Sequence, residues 1–521
     1  MIRRSAGLSA FVALAAVMSM GVAQGCGGDE VTPGDDAASP DGPVETADAS
    51  PSEGDGSTLP DGAPKPDGSG DVDAETDAAV DAPDEDAGEQ GPLSPEYVDY
   101  DVNHVLITGQ SNSVANGGSP PIAAAQPYTN VMFNTGVMPM TNCNGNGCFA
   151  YQTPASFAPL VEGDNFFNYT VETPASGLAN EISYLALQQF EFGARAGYPA
   201  KHDVLVSNHG RSGNTYWCLR KVQCPYRANE GYLSPFGQGM MEVQSAKTLA
   251  DPKTHVVRAV VAIHGESDHY SYVANNTEFA AQGLADYKAA LLEWQADYES
   301  SIQAITGQAQ PVPLLISGLS GWVTTRTSLV AQMQLDAHIA APGKVVYATP
   351  AYPLSVRSDC LHYDQNGYRR LGEYFAKVYS RIVFAGATWE PVRPMQITRA
   401  GNVVTVKFHV PKPPLVFDVA QVTNPGNFGF DFVDDGAIVA STAAVTGPDT
   451  VTITLAAAPS GVNMRLRYAQ NQNTTPATRC IGPGTVYGGG ARGNLRDSDT
   501  TPSRYGYPLH NWGVNFDIAV P

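Results

Sequence analysis

Four short stretches carry the residue types that acyl-transfer chemistry needs. GQSNS centres on Ser111, NHGRSGNTYW begins around Gly210, IHGESDH contains His264, and SDCLHYDQNGYRRLG holds Asp359 and His362. A serine hydroxyl attacks an ester carbonyl only when an adjacent imidazole can take its proton, and the imidazole needs its other nitrogen held, usually by a carboxylate. Asp359 and His362 stand three apart on one loop and can face each other without a second chain segment. The backbone amides of Ser111 and Gly210, with a side chain from the third stretch, would donate to the alkoxide of a tetrahedral intermediate. Each residue also has a plainer use. Ser111 suits a turn, His362 suits a helix start, and Gly210 suits tight backbone geometry. The set of four, taken together, argues for catalysis.

Other candidates are more open. His264, Glu266, Asp268 and His269 have the chemistry of zinc ligands, but all four come from one loop. No metal and no cofactor is expected. Tyr216 and Trp217 could stack on a sugar ring, or anchor a loop in the core. Arg492, Asn494, Arg496 and Asp497 could reach the site from the C-terminal region if the β-domain packs over the strand ends, or form surface salt bridges.

The elements that must position these residues are legible in the hydropathy pattern. HVLITGQ, HDVLVSNHG, VVRAVVAIHG, PVPLLISGLSG and KVVYATP are continuous apolar runs, the pattern of strands buried on both faces of a parallel sheet. Helix-like stretches alternate with them. One starts near Ser176, a second spans about Thr277 to Thr306, a third covers RTSLVAQMQLDAHIA, and a fourth covers QNGYRRLGEYFAKVYSRIV. Alternation of this kind predicts a three-layer α/β/α domain over 96–388, with ligands bound beyond the carboxyl ends of the strands. All four polar stretches lie at or after such ends. After about Trp389 the runs shorten, no helix intervenes, and an antiparallel β-sandwich over 389–521 is expected.

The four motifs, in this order, resemble the SGNH (GDSL-type) hydrolases, and most closely their sialate O-acetylesterase-like carbohydrate esterase branch. The likeness spans roughly residues 103 to 385. It implies a flavodoxin-like fold, Ser111 as nucleophile, His362 as base, Asp359 as its orienting acid and Gly210 as an oxyanion amide. It implies no metal. The family places Gln or Asn where this chain has His264, so His264 carries over as an oxyanion side-chain donor only if its neutral ring points there. Glu266 and Asp268 match acidic positions with a structural, hydrogen-bonding role. The implied activity is removal of acetyl or another small acyl group from a carbohydrate. The alternatives are a non-catalytic glycan-binding lipoprotein on the same fold, or a lipase or thioesterase of the same superfamily.

The N-terminal region points to export. Arg3 and Arg4 precede an uncharged apolar run, the anatomy of a signal peptide over 1–26, and Cys26 after it resembles the lipidated cysteine of bacterial lipoproteins; plain secretion with cleavage near Ala23 or Gly25 is the alternative. Residues 27–95 hold 20 acids and one lysine with almost no large apolar side chain, so a disordered acidic linker is expected there. That segment accounts for most of the formal net charge of −22. With no basic patch, nucleic-acid binding has no support, and a membrane is reached only through the lipid. The other six cysteines suit disulfides in an exported protein. Cys143 with Cys148 and Cys218 with Cys224 are near enough to clip single loops, which would leave Cys360 with Cys480, one of about fifteen pairings the sequence permits.

Overall fold

A computed structural model describes residues 94, 96–141, 150–166, 169–189, 202–222, 224, 233–271, 277–319, 328–357, 359, 361–470 and 490–521. The N-terminal segment with Cys26, and Cys143, Cys148, Cys360 and Cys480, lie outside the described residues.

The first apolar run forms β1 (Val102–Gly109), every residue of which is buried. Two short strands, β2 (Val131–Phe133) and β3 (Phe157–Pro159), and a small hairpin of β4 (Asn165–Phe166) and β5 (Tyr169–Thr170) follow. Then come α1 (Pro174–Gln189), β6 (Val204–Asn208), α2 (Pro235–Ala250), β7 (His255–Ile263), α3 (Glu266–Ser271) and α4 (Thr277–Ala281). The region closes with α5 (Tyr287–Thr306), β8 (Leu314–Ser317), α6 (Leu329–Ala340), β9 (Val345–Thr349) and α7 (Gln365–Tyr379). Among the described residues seven strands make one sheet in the order β3-β2-β6-β1-β7-β8-β9. All neighbours are parallel except the edge pair β2–β3. The chain thus forms the expected parallel α/β sheet. Because β1 leads first to one neighbour and later to the other, the sheet has a switch point beyond the carboxyl end of β1, where a crevice opens in such folds.

The expected helix over Thr277–Thr306 is broken in two. Gly283 takes a left-handed φ of 75°, and Asp286 then caps α5 by accepting from Ala289 N at 2.8 Å. The amphipathic side of α5 places Tyr287, Leu291, Trp294, Tyr298 and Ile302 in the core, as its three-and-four spacing predicts.

Beyond α7 the chain is all β. One antiparallel sheet joins β10 (Arg393–Ala400), β11 (Val403–His409), β16 (Thr450–Leu455) and β15 (Ser441–Gly447). A second joins β14 (Ala437–Val439), β13 (Phe430–Asp434), β17 (Arg465–Tyr468) and β19 (Phe516–Ala519), and β12 (Val416–Phe417) pairs with β18 (Leu495–Arg496). Val404, Val406, Val451 and Ile453 of the first sheet share a core with Phe430, Leu466, Tyr468 and Phe516 of the second.

The β-rich part is packed on α7, which explains why that helix is buried so completely. Leu371, Phe375 and Val378 are buried in the core. Lys377 is met by Asp499 at 2.7 Å, the Leu509 carbonyl at 2.5 Å and Asn511 Oδ1 at 2.7 Å. Three acceptors satisfy the three donors of an ammonium that water no longer reaches. Tyr374 takes a hydrogen bond from Trp512 Nε1 at 3.2 Å, and Tyr352 donates to the Gly513 carbonyl at 2.8 Å. Among the described residues, no helix is long and apolar enough to cross a membrane.

Candidate active site

The serine stands where β1 ends. A Cβ on Gly109 would lie 2.0 Å from the Ile263 carbonyl oxygen, and its φ is +132°, so glycine alone lets β1 close on β7 there. The chain then turns sharply. Ser113 donates from its N at 2.9 Å and its Oγ at 2.6 Å to the Gln110 carbonyl, and Asn116 N donates to the Ser111 carbonyl at 3.0 Å. The Gln110 side chain accepts from Ser267 N at 2.9 Å, binding this turn to the first turn of α3. Ser111 is left 6% exposed at the switch point.

The loop between β9 and α7 brings the other two groups. His362 Nε2 lies 3.0 Å from Ser111 Oγ, and its Nδ1 lies 2.8 Å from Asp359 Oδ2. Asp359 Oδ1 also accepts from the backbone N–H groups of Leu361 at 2.9 Å and His362 at 3.0 Å. Partial burial pushes the Asp359 carboxyl up, but the His362 hydrogen bond and those two amides outweigh it and bring the group down to about 2. It is therefore ionised at neutral pH. A carboxylate fixed on Nδ1 makes that nitrogen the donor and leaves Nε2 as the acceptor facing the hydroxyl, the tautomer a general base requires. Ser111, His362 and Asp359 are thus brought together as their spacing predicts.

Three polar residues that sequence reasoning passed over lock the two loops to each other. Asn112 Nδ2 donates to the Leu361 carbonyl at 3.1 Å and to Glu266 Oε1 at 3.4 Å, while its Oδ1 accepts from Tyr368 OH at 3.0 Å. The single Tyr368 O–H is shared with the Asn116 carbonyl, the nearer of the two acceptors at 2.7 Å. Asn116 Nδ2 in turn lies 3.3 Å from His362 Nε2. Asn112 was visible next to the serine in GQSNS; Asn116 and Tyr368 carry no local signal.

The oxyanion side differs from expectation. Ser111 N has no hydrogen-bond partner among the described residues, so it can donate to a developing alkoxide. Gly210 N, by contrast, donates to Asn208 Oδ1 at 3.0 Å. What Gly210 provides is closeness, since a Cβ there would lie 1.9 Å from Ser113 Oγ. His264 faces away altogether. Its Nδ1 meets Tyr287 OH at 2.7 Å and its Nε2 meets the Asn214 carbonyl at 3.2 Å and Asp268 Oδ2 at 3.2 Å. Burial pushes the ring down to about 4, so it is neutral. A carbonyl only accepts, so the single N–H sits on Nε2 and serves Asn214 rather than an oxyanion. His264 is a strut beneath the 211–217 loop, and the glutamine-like donor role is withdrawn.

The remaining candidates sort the same way. Glu266 holds Asn112, and Asp268 accepts from Tyr216 N at 3.0 Å, both hydrogen-bonding supports. Among the described residues no group of three His, Cys, Asp or Glu side chains is placed to hold a metal. Tyr216 is fully buried, edge-on to Trp294 with ring centres 5.4 Å apart, and donates to Glu293 at 2.9 Å, so it anchors the core and offers no face to a sugar. Trp217 beside it is half-buried. Cys218 and Cys224 form a disulfide that clips this loop. Arg492, Asn494, Arg496 and Asp497 bond within the C-terminal region, and Arg496 makes a salt bridge of the kind expected of this group. Arg492 and Asn494 bond to the backbone of 418–423, Arg496 pairs with Asp418 at 2.7 Å, and Asp497 accepts from Asn511 at 2.7 Å.

No family model matches the chain, and no protein of curated function matches it. Among solved structures it is similar to a carbohydrate acetylesterase from Xanthomonas citri, at 16% identity and a TM-score of 0.47 over 80% of each chain. A carbohydrate acetylesterase from Sinorhizobium meliloti has 11% identity and a TM-score of 0.29, with 54% of this chain and 99% of that chain covered. An aryl esterase from M. smegmatis has 12% identity and a TM-score of 0.27, with 53% of this chain and 97% of that chain covered. At these scores the likenesses carry no functional argument of their own.

Proposed function

We propose that the protein is a serine ester hydrolase of the SGNH type that removes acetyl or other small acyl groups from a carbohydrate. The observation that carries the reading is the unbroken relay from Ser111 Oγ through His362 to Asp359, at 3.0 and 2.8 Å. In the proposed cycle His362 Nε2 takes the Ser111 proton as Oγ bonds to the ester carbonyl carbon. The carbonyl oxygen becomes an alkoxide, received by Ser111 N–H. His362 then returns the proton to the departing sugar oxygen, leaving an acyl-serine. Water, deprotonated by His362, attacks that ester and releases the carboxylic acid and free Ser111. No cofactor enters these steps.

The acyl group and the sugar are read from the resemblance of the four motifs. Export and attachment through Cys26, with the acidic 27–95 segment as a spacer, belong to the same proposal and rest on the N-terminal sequence alone. The test is hydrolysis of nitrophenyl acetate and of acetylated oligosaccharides by the protein and by Ser111→Ala. Turnover by the first and a loss of at least about 1,000-fold in the second is expected. Equal rates, or binding of glycan without turnover by either protein, would replace this reading with that of a glycan-binding protein.

A further inference from the structure

We infer that Arg357 is a specificity-determining residue that binds the carboxylate of an acidic sugar, a uronic acid or another carboxylate-bearing unit, at or next to the sugar that carries the ester. The inference rests on the serine-esterase reading for the placement of the sugar.

The placement follows from the chemistry of His362. To return its proton to the departing sugar oxygen, Nε2 must lie within hydrogen-bond reach of that oxygen. The sugar, rather than the acyl group, therefore occupies the space in front of Nε2. Asn116 borders that space, with Nδ2 3.3 Å from Nε2, and Gly117 follows it in the chain. The Arg357 side chain lies against Gly117. A Cβ built on that glycine would stand 2.5 Å from Arg357 Cδ and 2.8 Å from Nη1. Arg357 N donates to the His362 carbonyl at 2.8 Å, so its backbone is fixed to the loop of the base itself.

Among the described residues, no carboxylate pairs with the charge of Arg357. The residue is exposed, and its guanidinium makes no hydrogen bond or ion pair among the described residues. Three arginines elsewhere in the fold are engaged by carboxylates. Arg220 is held by Glu293 at 2.6 Å, Arg496 by Asp418 at 2.7 Å and Arg465 by Asp517 at 2.6 Å. The nearest catalytic carboxylate, Asp359, has its oxygens taken by His362 and two backbone amides. A guanidinium offers a planar fork of donors that matches a carboxylate, and Lys reproduces the charge without the fork. A neutral sugar leaves those donors to water.

Binding in Ser111→Ala protein tests the inference apart from turnover. Three probes are compared by titration calorimetry: acetylated oligogalacturonide, an O-acetylated sialoside and acetylated xylo-oligosaccharide, which is neutral. The expected result is tighter binding of at least one acidic probe than of the neutral one, by roughly five- to thirtyfold at low salt, the scale of a charge-assisted contact near a surface. Which acidic probe gains identifies the source of the carboxylate. Adding Arg357→Ala should collapse that ratio toward one, and Arg357→Lys should keep part of it. The ratio should also shrink as salt rises from 0.01 to 0.15 M, because screening shortens from about 30 to about 8 Å. This salt series needs no Arg357 variant, so a poorly folded one leaves the test intact. A ratio near one in the Ser111→Ala protein, or one that survives Arg357→Ala, overturns the inference. Absence of Ser111-dependent hydrolysis with an intact ratio would overturn the esterase reading instead.

Discussion

Replacing Asp359 with Asn is the perturbation whose outcome the geometry constrains most tightly. Asp359 Oδ1 accepts from two backbone N–H groups, at 2.9 and 3.0 Å, while Oδ2 faces His362 Nδ1 at 2.8 Å. An asparagine must keep its carbonyl oxygen where the two amides point, because an NH2 group there would meet two donors. Its NH2 group is therefore turned toward Nδ1. Two donors cannot share a hydrogen bond, so His362 must accept at Nδ1 and carry its proton on Nε2, facing Ser111. In that tautomer the ring cannot take the serine proton. Where a triad is disabled in this way in serine proteases, kcat falls about 10,000-fold, or about 5.4 kcal/mol of transition-state stabilisation. The Asp359 side chain is 44% exposed, so screening by water reduces the charge part of the effect, and we expect a fall of about 1,000- to 10,000-fold. Asp359→Ala imposes no wrong tautomer, so it should be no worse than Asp359→Asn. The assay is kcat for nitrophenyl acetate at neutral pH, with thermal unfolding as a check that each variant is folded. An Asp359→Asn enzyme within tenfold of the parent, or clearly more active than Asp359→Ala, would contradict a His362 forced into the wrong tautomer.

Two further predictions separate support from chemistry. His264→Ala should cost about 2–4 kcal/mol of stability, since it strands Tyr287 OH and the Asn214 carbonyl and opens a cavity beside Trp294. Its kcat in the folded fraction should fall less than tenfold; a loss beyond 1,000-fold with unchanged thermal stability would restore His264 to the oxyanion site. Glu181 concerns pH. Burial first, then repulsion from Glu373, pushes its carboxyl to about 9, against the opposing pull of the Arg504 amide. A folded-state value above the unfolded one means that stability is full below about pH 4.5 and declines as pH rises toward 9. The midpoint of thermal unfolding should therefore drop between pH 5 and pH 8.5, and Glu181→Gln should shrink that drop. An equal drop in the variant contradicts the assignment.

Much of this was legible in the sequence because it depends on local composition. The five long apolar runs that became β1, β6, β7, β8 and β9 are buried on both faces, so they read as continuous hydrophobic stretches. Asp359 and His362 were legible because three residues on one loop suffice to pair them. α2 was missed: Ser234 and Pro235 mark its start, but Gly and Gln inside PFGQGMMEVQ blur the apolar face. β2 and β3 are three residues each, too short to leave a pattern. The roles given to Gly210 and His264 failed for a different reason. Motif position places a residue near a site, but the direction of an N–H is set by neighbours such as Asn208 and Asn214, which no spacing rule encodes. Tyr216 shows the same limit, since its partner Trp294 is 78 positions away. Arg357 carries no motif either; only the fold brings it against Gly117.

If Ser111 Oγ is the nucleophile of an acyl-enzyme pathway, a reagent that traps that bond should react there. The protein, Ser111→Ala and His362→Ala are each treated with an aryl phosphonate ester and examined by intact mass and peptide mapping. One adduct per chain is expected in the parent, located on Ser111, with activity lost in step. None is expected in Ser111→Ala, and labelling should be slowed at least about 100-fold in His362→Ala. An adduct on another residue that accounts for the lost activity, or full ester hydrolysis by Ser111→Ala, would contradict Ser111 as the nucleophile.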